Sequence, residues 1–166
     1  KRLILDRSLQ TIVWTLVEPW YWMLYTLQFI PDAIRNIINQ REYSTFASPS
    51  KFQDAWFAST WSVLGPRFAQ GSEKRVTTLL SHARGVVLDV GPGPGHWVHV
   101  YANPGVRRGI TRIYGIEPNL SQHAALRRRV REAGLEDIYT IIGAGVEELA
   151  KLDVGVGRNT VDTVVT

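Results

Sequence analysis

The chain has 166 residues, of which 45% are hydrophobic, and its formal net charge is +4 at pH 7. This length and apolar content allow a packed core and exclude a wholly disordered chain. The absence of cysteine excludes disulfides, thiolate nucleophiles and cysteine-based zinc sites, and the four histidines lack the spacing that predicts a metal site.

The first predicted element is a strongly apolar helix. Between Leu9 and Ile30, 15 of 22 residues are apolar and the only charged residue is Glu18. The apolar residues recur at helical spacing, and the aromatic-rich run 20–25 is typical of a bilayer interface. Because Glu18 and Pro19 oppose a membrane span, we expect residues 8–30 to form a helix kinked at Pro19 that lies in one leaflet. A helix buried against the rest of the chain or a second subunit is the alternative.

The next region is predicted to hold a connector and two helices. Residues 31–50 contain prolines, asparagines and serines, which favour a loop. Helices are predicted over 52–64 and 73–83, and Gly65-Pro66 is expected to separate them. The aromatic residues of the first helix share one face, which suits either a core or a cover over a ligand.

A glycine-rich motif follows the first predicted strand, 85–90. Its glycines alternate in Gly91-Pro92-Gly93-Pro94-Gly95, so backbone can approach a ligand closely there. A second strand, 112–117, ends at Glu117, whose carboxylate is placed to bind both hydroxyls of a ribose. Dinucleotide sites use the spacing G-x-G-x-x-G, and the two prolines lack the N–H groups that would hold a pyrophosphate. An NAD(P)-dependent oxidoreductase is therefore the less favoured class.

Strands and helices alternate through the rest of the chain. Helices are predicted from about residue 95 and over 119–133 and 146–151, and strands over 138–142 and 161–166. This order predicts an α/β fold with a parallel sheet. The four arginines between 127 and 131 are interpreted as a solvated helix face, which makes nucleic acid an unlikely partner; an anionic lipid surface is the other alternative.

Four segments in chain order resemble the motifs of class I S-adenosylmethionine-dependent methyltransferases. The segments are Val87–Gly95, Ile113–Asn119, Ile141–Leu149 and Thr160–Val165. The similarity is to type 11 methyltransferases, including membrane-associated members that methylate small thiols. It implies a Rossmann-like sheet with about four parallel strands present and an N-terminal helical extension. Since the family's sheet is larger, we expect this chain to be C-terminally truncated.

The resemblance also implies a division of the chain and a set of contacts with S-adenosyl-L-methionine. The predicted segments are a helical extension and possible membrane anchor at 1–45, a helical lid and lead-in at 46–84, and a partial cofactor-binding domain at 85–166. The implied contact residues are Asp89, Gly91, Gly93 and Gly95 at the methionine moiety, Glu117, Pro118 and Asn119 at the ribose, and Ala144, Gly145 and Val146 at the adenine. Two alternatives stay open: Glu117 as a helix cap, and Gly143 and Gly145 as an ordinary strand-to-helix connection.

The implied function is methyl transfer to a small apolar acceptor, a thiol or another small molecule, at the cytosolic face of an intracellular membrane. A cytoplasmic location is the alternative. Such a reaction depends chiefly on holding the reacting groups in line. His96 and His99 are the only nearby candidates for a base, and a loop histidine that caps the helix is the favoured interpretation of His96, so no catalytic residue is assigned. The alternative function is a nucleotide-binding module without activity, and no metal is expected.

Overall fold

The computed structural model describes residues 2–151 and 160–166. The chain divides into two compact units, and the boundary between them falls after Thr60. The predicted division into 1–45, 46–84 and 85–166 stays a prediction.

The first unit is helical. Helix α1 spans Arg2–Thr26 with Pro19 inside it, which confirms a helix over most of the predicted apolar segment. A short 3-10 helix, Leu27–Phe29, joins it to α2, Ile30–Gln40, and a second 3-10 helix covers Tyr43–Ala47. Among the helices of the described residues, none combines the length and apolar character needed to cross a bilayer.

Helix α2 corrects the predicted connector over 31–50. Pro31 stands in the first turn, where its missing N–H has no helical partner to lose. Asp32 follows it and interacts favourably with the positive end of the helix dipole. Ala33 and Ile37, four residues apart, are both buried. The proline is therefore a start signal for this helix.

Helix α3 is a single helix, Pro49–Leu80, so the prediction of two helices separated by Gly65-Pro66 is wrong. Pro66 lies inside α3, where it lacks the N–H for one helical hydrogen bond. Gly65 is buried, and a Cβ on it would collide with the imidazole of His96. This glycine therefore admits a neighbouring side chain, and the helix continues past it.

The second unit contains a four-stranded sheet. Its strands are β1 (Gly85–Val90), β2 (Ile110–Ile116), β3 (Tyr139–Ile142) and β4 (Thr163–Val165). Within the described residues all pairs are parallel and the order is β3-β2-β1-β4. The predicted α/β class with a parallel sheet is confirmed.

Among the described residues, three α-helices connect these strands. They are α4 (Val98–Tyr101), α5 (Pro104–Arg107) and α6 (Leu120–Glu132). The helix predicted from about residue 95 is thus short and is followed by a second piece, since Pro104 starts a new helix at its own position. The predicted helix over 146–151 is a 3-10 helix, Val146–Lys151.

Both faces of the sheet are covered by apolar side chains. Val87 belongs to a buried cluster that includes Ile113 and Leu126, whereas Leu88 belongs to a second cluster with Tyr114 and Ile116. Consecutive residues of a strand point to opposite faces, and a parallel sheet covered on both sides reads as a continuous apolar run. This packing fixes the carboxyl ends of β1 and β2, where the glycine-rich loop and Glu117 lie.

Candidate functional site

The glycine-rich loop follows β1 directly. The φ angles of Gly91, Gly93 and Gly95 are 68°, 58° and 85°, in the left-handed region that side chains with a Cβ rarely adopt. The Gly91 N–H donates to the Ile116 carbonyl at 2.9 Å, which ties the start of the loop to the end of β2. The alternating glycines are therefore required by the backbone of the loop.

Glu117 anchors the middle of the same loop. Its side chain is buried, and Oε2 accepts a hydrogen bond from the Gly93 N–H at 2.9 Å. Oε1 accepts from the Asn119 N–H at 2.8 Å. Asn119 in turn caps α6, because its side chain accepts from the Ser121 N–H. Glu117 thus joins the loop to the start of the helix, and a carboxylate oxygen keeps a second lone pair for another donor.

Asp89 is a buried carboxyl group at the end of β1. It is 8% exposed, and Oδ2 accepts a hydrogen bond from the Tyr139 hydroxyl at 2.8 Å. Burial raises the pKa of Asp89 to about 6, and hydrogen bonds from Tyr139 and Tyr101 oppose that rise. Burial and the Asp89 charge also raise the pKa of both tyrosines, so both hydroxyls stay protonated and donate. Asp89 therefore has a pKa of about 6 and lies between two protonated tyrosine hydroxyls.

A cavity of about 330 Å3 opens beside Asp89. Of the predicted contact residues, Asp89, Gly91 and Gly95 line it. The side chains that give it a largely apolar and aromatic wall are Trp61, Phe68, Val76, Leu79, Leu80, Trp97 and Val98. The combination offers one ionisable carboxyl beside an apolar space, which suits a small ligand with a cationic or donor group at one end.

The remaining predicted contact residues do not line this cavity. Pro118 is exposed beside Glu117. Ala144 packs in the apolar cluster with Ile116, and Val146 is 48% exposed. The Gly145 N–H donates to Glu148 Oε2 at 3.2 Å, a bond typical of a turn into a helix. The structure thus places the residues predicted for the ribose and the adenine outside the cavity that holds Asp89.

His96 lies in the wall of the cavity. Burial, followed by the charge of Arg129, lowers the pKa of His96, while a hydrogen bond with the Trp61 backbone opposes that change. Nε2 is buried without a hydrogen-bond partner and is the imidazole atom that a Cβ on Gly65 would meet first. His99 is exposed, and its Nε2 lies 3.6 Å from Glu73 Oε1. His96 Nε2 is buried and His99 does not line the cavity, so no base is assigned.

Sequence reasoning missed the two tyrosines that hold Asp89. The available signal was Gly115 inside β2, because a glycine within a strand often marks a close approach of another group. A Cβ on Gly115 would collide with the Tyr139 ring. The partner of that close approach, 24 residues further along the chain, is visible only in the fold.

Within the described residues, no group of three or more histidine, aspartate or glutamate side chains is arranged to hold a metal ion. No protein-family model matches the chain, and no curated protein matches it either. A functional assignment therefore depends on the geometry of these residues.

Proposed function

We propose that this chain binds S-adenosyl-L-methionine and belongs to a methyltransferase of the Rossmann-like class I type. The observation that carries the proposal is the buried Asp89 carboxyl, which lies one residue before the end of β1 and lines the cavity beside the glycine-rich loop. In parallel α/β sheets, ligands bind outside the carboxyl ends of the strands. The four resembling segments supply the identity of the ligand.

The residues present fit the proposed cofactor at its two polar ends. Asp89 would accept hydrogen bonds from the amino group of the cofactor, since an ionised carboxylate attracts an ammonium strongly in a buried site. Glu117 already holds the Gly93 and Asn119 amides, and its remaining lone pairs would accept the ribose hydroxyls. The cofactor would supply an electrophilic methyl group.

The apolar wall supports a small apolar acceptor. Trp61, Phe68 and Trp97 line the cavity together with Asp89, so an acceptor bound there would lose its water on binding. These side chains would exclude solvent and orient the acceptor, and such positioning supplies roughly 7–11 kcal/mol of barrier lowering in well-aligned reactions. An acceptor that is already a thiolate needs no protein base.

A nucleotide-binding module without activity is the second candidate. One observation favours it: neither histidine near the loop is placed as a base, since His96 Nε2 is buried and His99 does not line the cavity. This candidate shares the cofactor and lacks the acceptor reaction, so activity with a panel of small thiols separates the two.

Calorimetric titration of S-adenosylhomocysteine into the chain in mild detergent tests the cofactor, with NADH as the control. We expect micromolar binding of S-adenosylhomocysteine and none of NADH. Binding of NADH alone would favour the oxidoreductase class and overturn the proposal. Failure of a folded sample to bind either compound would overturn it as well.

We also propose that α1 docks on a membrane surface. The large apolar side chains of α1 that are at least 41% exposed are Ile12, Val13, Trp14, Leu16, Val17, Trp20, Tyr21, Trp22, Met23 and Leu24. Polar side chains of α1 bond within the helix: the Thr15 hydroxyl donates to the Thr11 carbonyl, and Trp22 Nε1 donates to Glu18 Oε1. A helix that satisfies its own polar groups suits an apolar surrounding, and the aromatic side chains suit its interface with water.

A further inference from the structure

Tyr139 contacts Asp89 although their two strands, β3 and β1, are not paired with each other. Asp89 lies in β1 and Tyr139 opens β3, and the central strand β2 separates them. The Tyr139 hydroxyl nevertheless donates to Asp89 Oδ2 at 2.8 Å. The aromatic ring of Tyr139 must therefore lie across β2.

Gly115 makes that passage possible. It pairs with Asp89 on one side and with Ile141 on the other, and Tyr139 lies two residues before Ile141 on β3. A Cβ on Gly115 would collide with the Tyr139 hydroxyl and ring. The missing side chain of Gly115 thus forms the gap through which Tyr139 meets Asp89.

Few ionisable groups share the surroundings of Asp89. Tyr139 comes from β3 and Tyr101 from α4, and both donate to the carboxylate. His96, from the loop after β1, lines the same cavity, and the Glu117 carboxylate acts on Tyr139. The cavity-lining residues of α3 carry no charged side chain, and neither do Val165 of β4 and the following Thr166. The Tyr139 hydrogen bond is the largest of the contributions that favour the ionised carboxylate.

We propose that Tyr139 is a positioning residue that, through the gap at Gly115, orients the Asp89 carboxylate toward the cavity and favours its ionised form. The positioning rests on contacts within the chain, whereas its use for a ligand rests on the proposed function. The ligand group recognised by Asp89 is a cationic amine. Tyr139 itself does not line the cavity and acts only through Asp89.

Carboxyl-detected NMR of 13C-labelled protein tests the positioning without any ligand. Tyr139→Phe removes only the hydroxyl, so the pKa of Asp89 is expected to rise above about 6. Gly115→Ala displaces the ring and is expected to shift the pKa of Asp89 in the same direction. Tyr114→Phe is the matched control, because Tyr114 is a buried tyrosine of β2 in the other apolar cluster and its replacement should leave Asp89 unchanged. An unaltered Asp89 titration in Tyr139→Phe would overturn the proposal, even if Gly115→Ala does not fold.

S-adenosylhomocysteine binding measured from pH 6 to about pH 8.5 tests the use of the positioned carboxylate. Tyr139→Phe should weaken binding several-fold at pH 7. Near pH 8.5 most of the affinity should return, because Asp89 is ionised there even without the Tyr139 hydrogen bond. A merely structural role would give a loss that is independent of pH, and that result would overturn the positioning role. Failure of the unaltered protein to bind would count against the proposed function, while the NMR titration would still decide whether Tyr139 acts on Asp89.

Discussion

Because Asp89 is buried, the free energy of unfolding depends on whether its carboxyl group is protonated. Its pKa rises from 3.8 to about 6 in the folded state, so the folded chain binds more protons than the unfolded chain between these pH values. The free energy of unfolding must therefore fall as pH rises from about 4 to about 6, and the loss persists at neutral pH. A shift of this size corresponds to about 3 kcal/mol.

Asp89→Asn is expected to stabilise the protein at neutral pH. The amide keeps an oxygen that can accept from Tyr139 and removes the buried charge, so the free energy of unfolding at pH 7 should increase by about 1–3 kcal/mol. The same change should weaken S-adenosylhomocysteine binding. Urea unfolding at pH 7 and pH 4 measures the effect, and a gain that does not shrink at the lower pH would contradict this explanation.

Glu117→Ala is expected both to destabilise the fold and to weaken the binding of S-adenosylhomocysteine. It leaves the Gly93 and Asn119 N–H groups without their acceptor, and an unpaired buried donor costs about 1–3 kcal/mol. Urea unfolding and calorimetric titration measure the two effects. The exposed Glu136 is a suitable control, since Glu136→Ala removes only a surface pair with Arg131 and should change stability by less than about 1 kcal/mol. Unchanged ligand affinity in Glu117→Ala would exclude the ribose contact.

At the scale of single elements, α3 contains two glycines with opposite requirements. A Cβ on Gly65 would collide with His96, whereas a Cβ on Gly71 would meet nothing within 4 Å. Alanine in an open helical position stabilises by about 0.5–1 kcal/mol relative to glycine. We therefore expect Gly71→Ala to raise the melting temperature and Gly65→Ala to lower it. Thermal unfolding of both variants decides the matter, and stabilisation by Gly65→Ala would show that His96 does not need this space.

Some helices and strands could be predicted from local sequence patterns, and others could not. The apolar runs of β1 and β2 predict a parallel sheet because both of its faces are buried, and the positive φ angles of the loop follow from its alternating glycines. The continuity of α3 was not predictable, since the role of Gly65 depends on His96, which is 31 residues away. Helix α2 was missed because Pro31 was interpreted as part of a loop, although a proline in the first turn fits a helix start.

The same limit applies to the candidate site. Asp89 and the glycines were predicted from consecutive residues, and the structure brings Asp89, Gly91 and Gly95 to one cavity. The hydrogen bond from Tyr139 crosses a whole strand, so no spacing along the sequence indicates it. Side chains that reach a site from non-adjacent strands require the register of the sheet to be known.

At the scale of the whole molecule, vesicle binding tests the role of α1. The full chain should co-sediment with phosphatidylcholine vesicles containing phosphatidylserine, and the tryptophan emission should shift to the blue as Trp14 and Trp20 leave water. Leu16→Glu combined with Trp20→Glu should weaken binding at least about tenfold. Leu120→Glu changes an exposed leucine of α6 and serves as the control. If the chain instead sediments as a stable dimer and does not bind vesicles, α1 binds a second copy of the chain.

The Asp89 carboxyl also makes ligand binding a proton-releasing event. At pH 6 this group is about half protonated, and a bound cation lowers its pKa, so each binding event should expel a fraction of a proton into the buffer. The observed heat of binding will then depend on which buffer receives that proton. Near pH 8, where Asp89 is already ionised, the dependence should vanish, and a pair of buffers with different ionisation enthalpies can therefore count the protons exchanged at a single buried side chain.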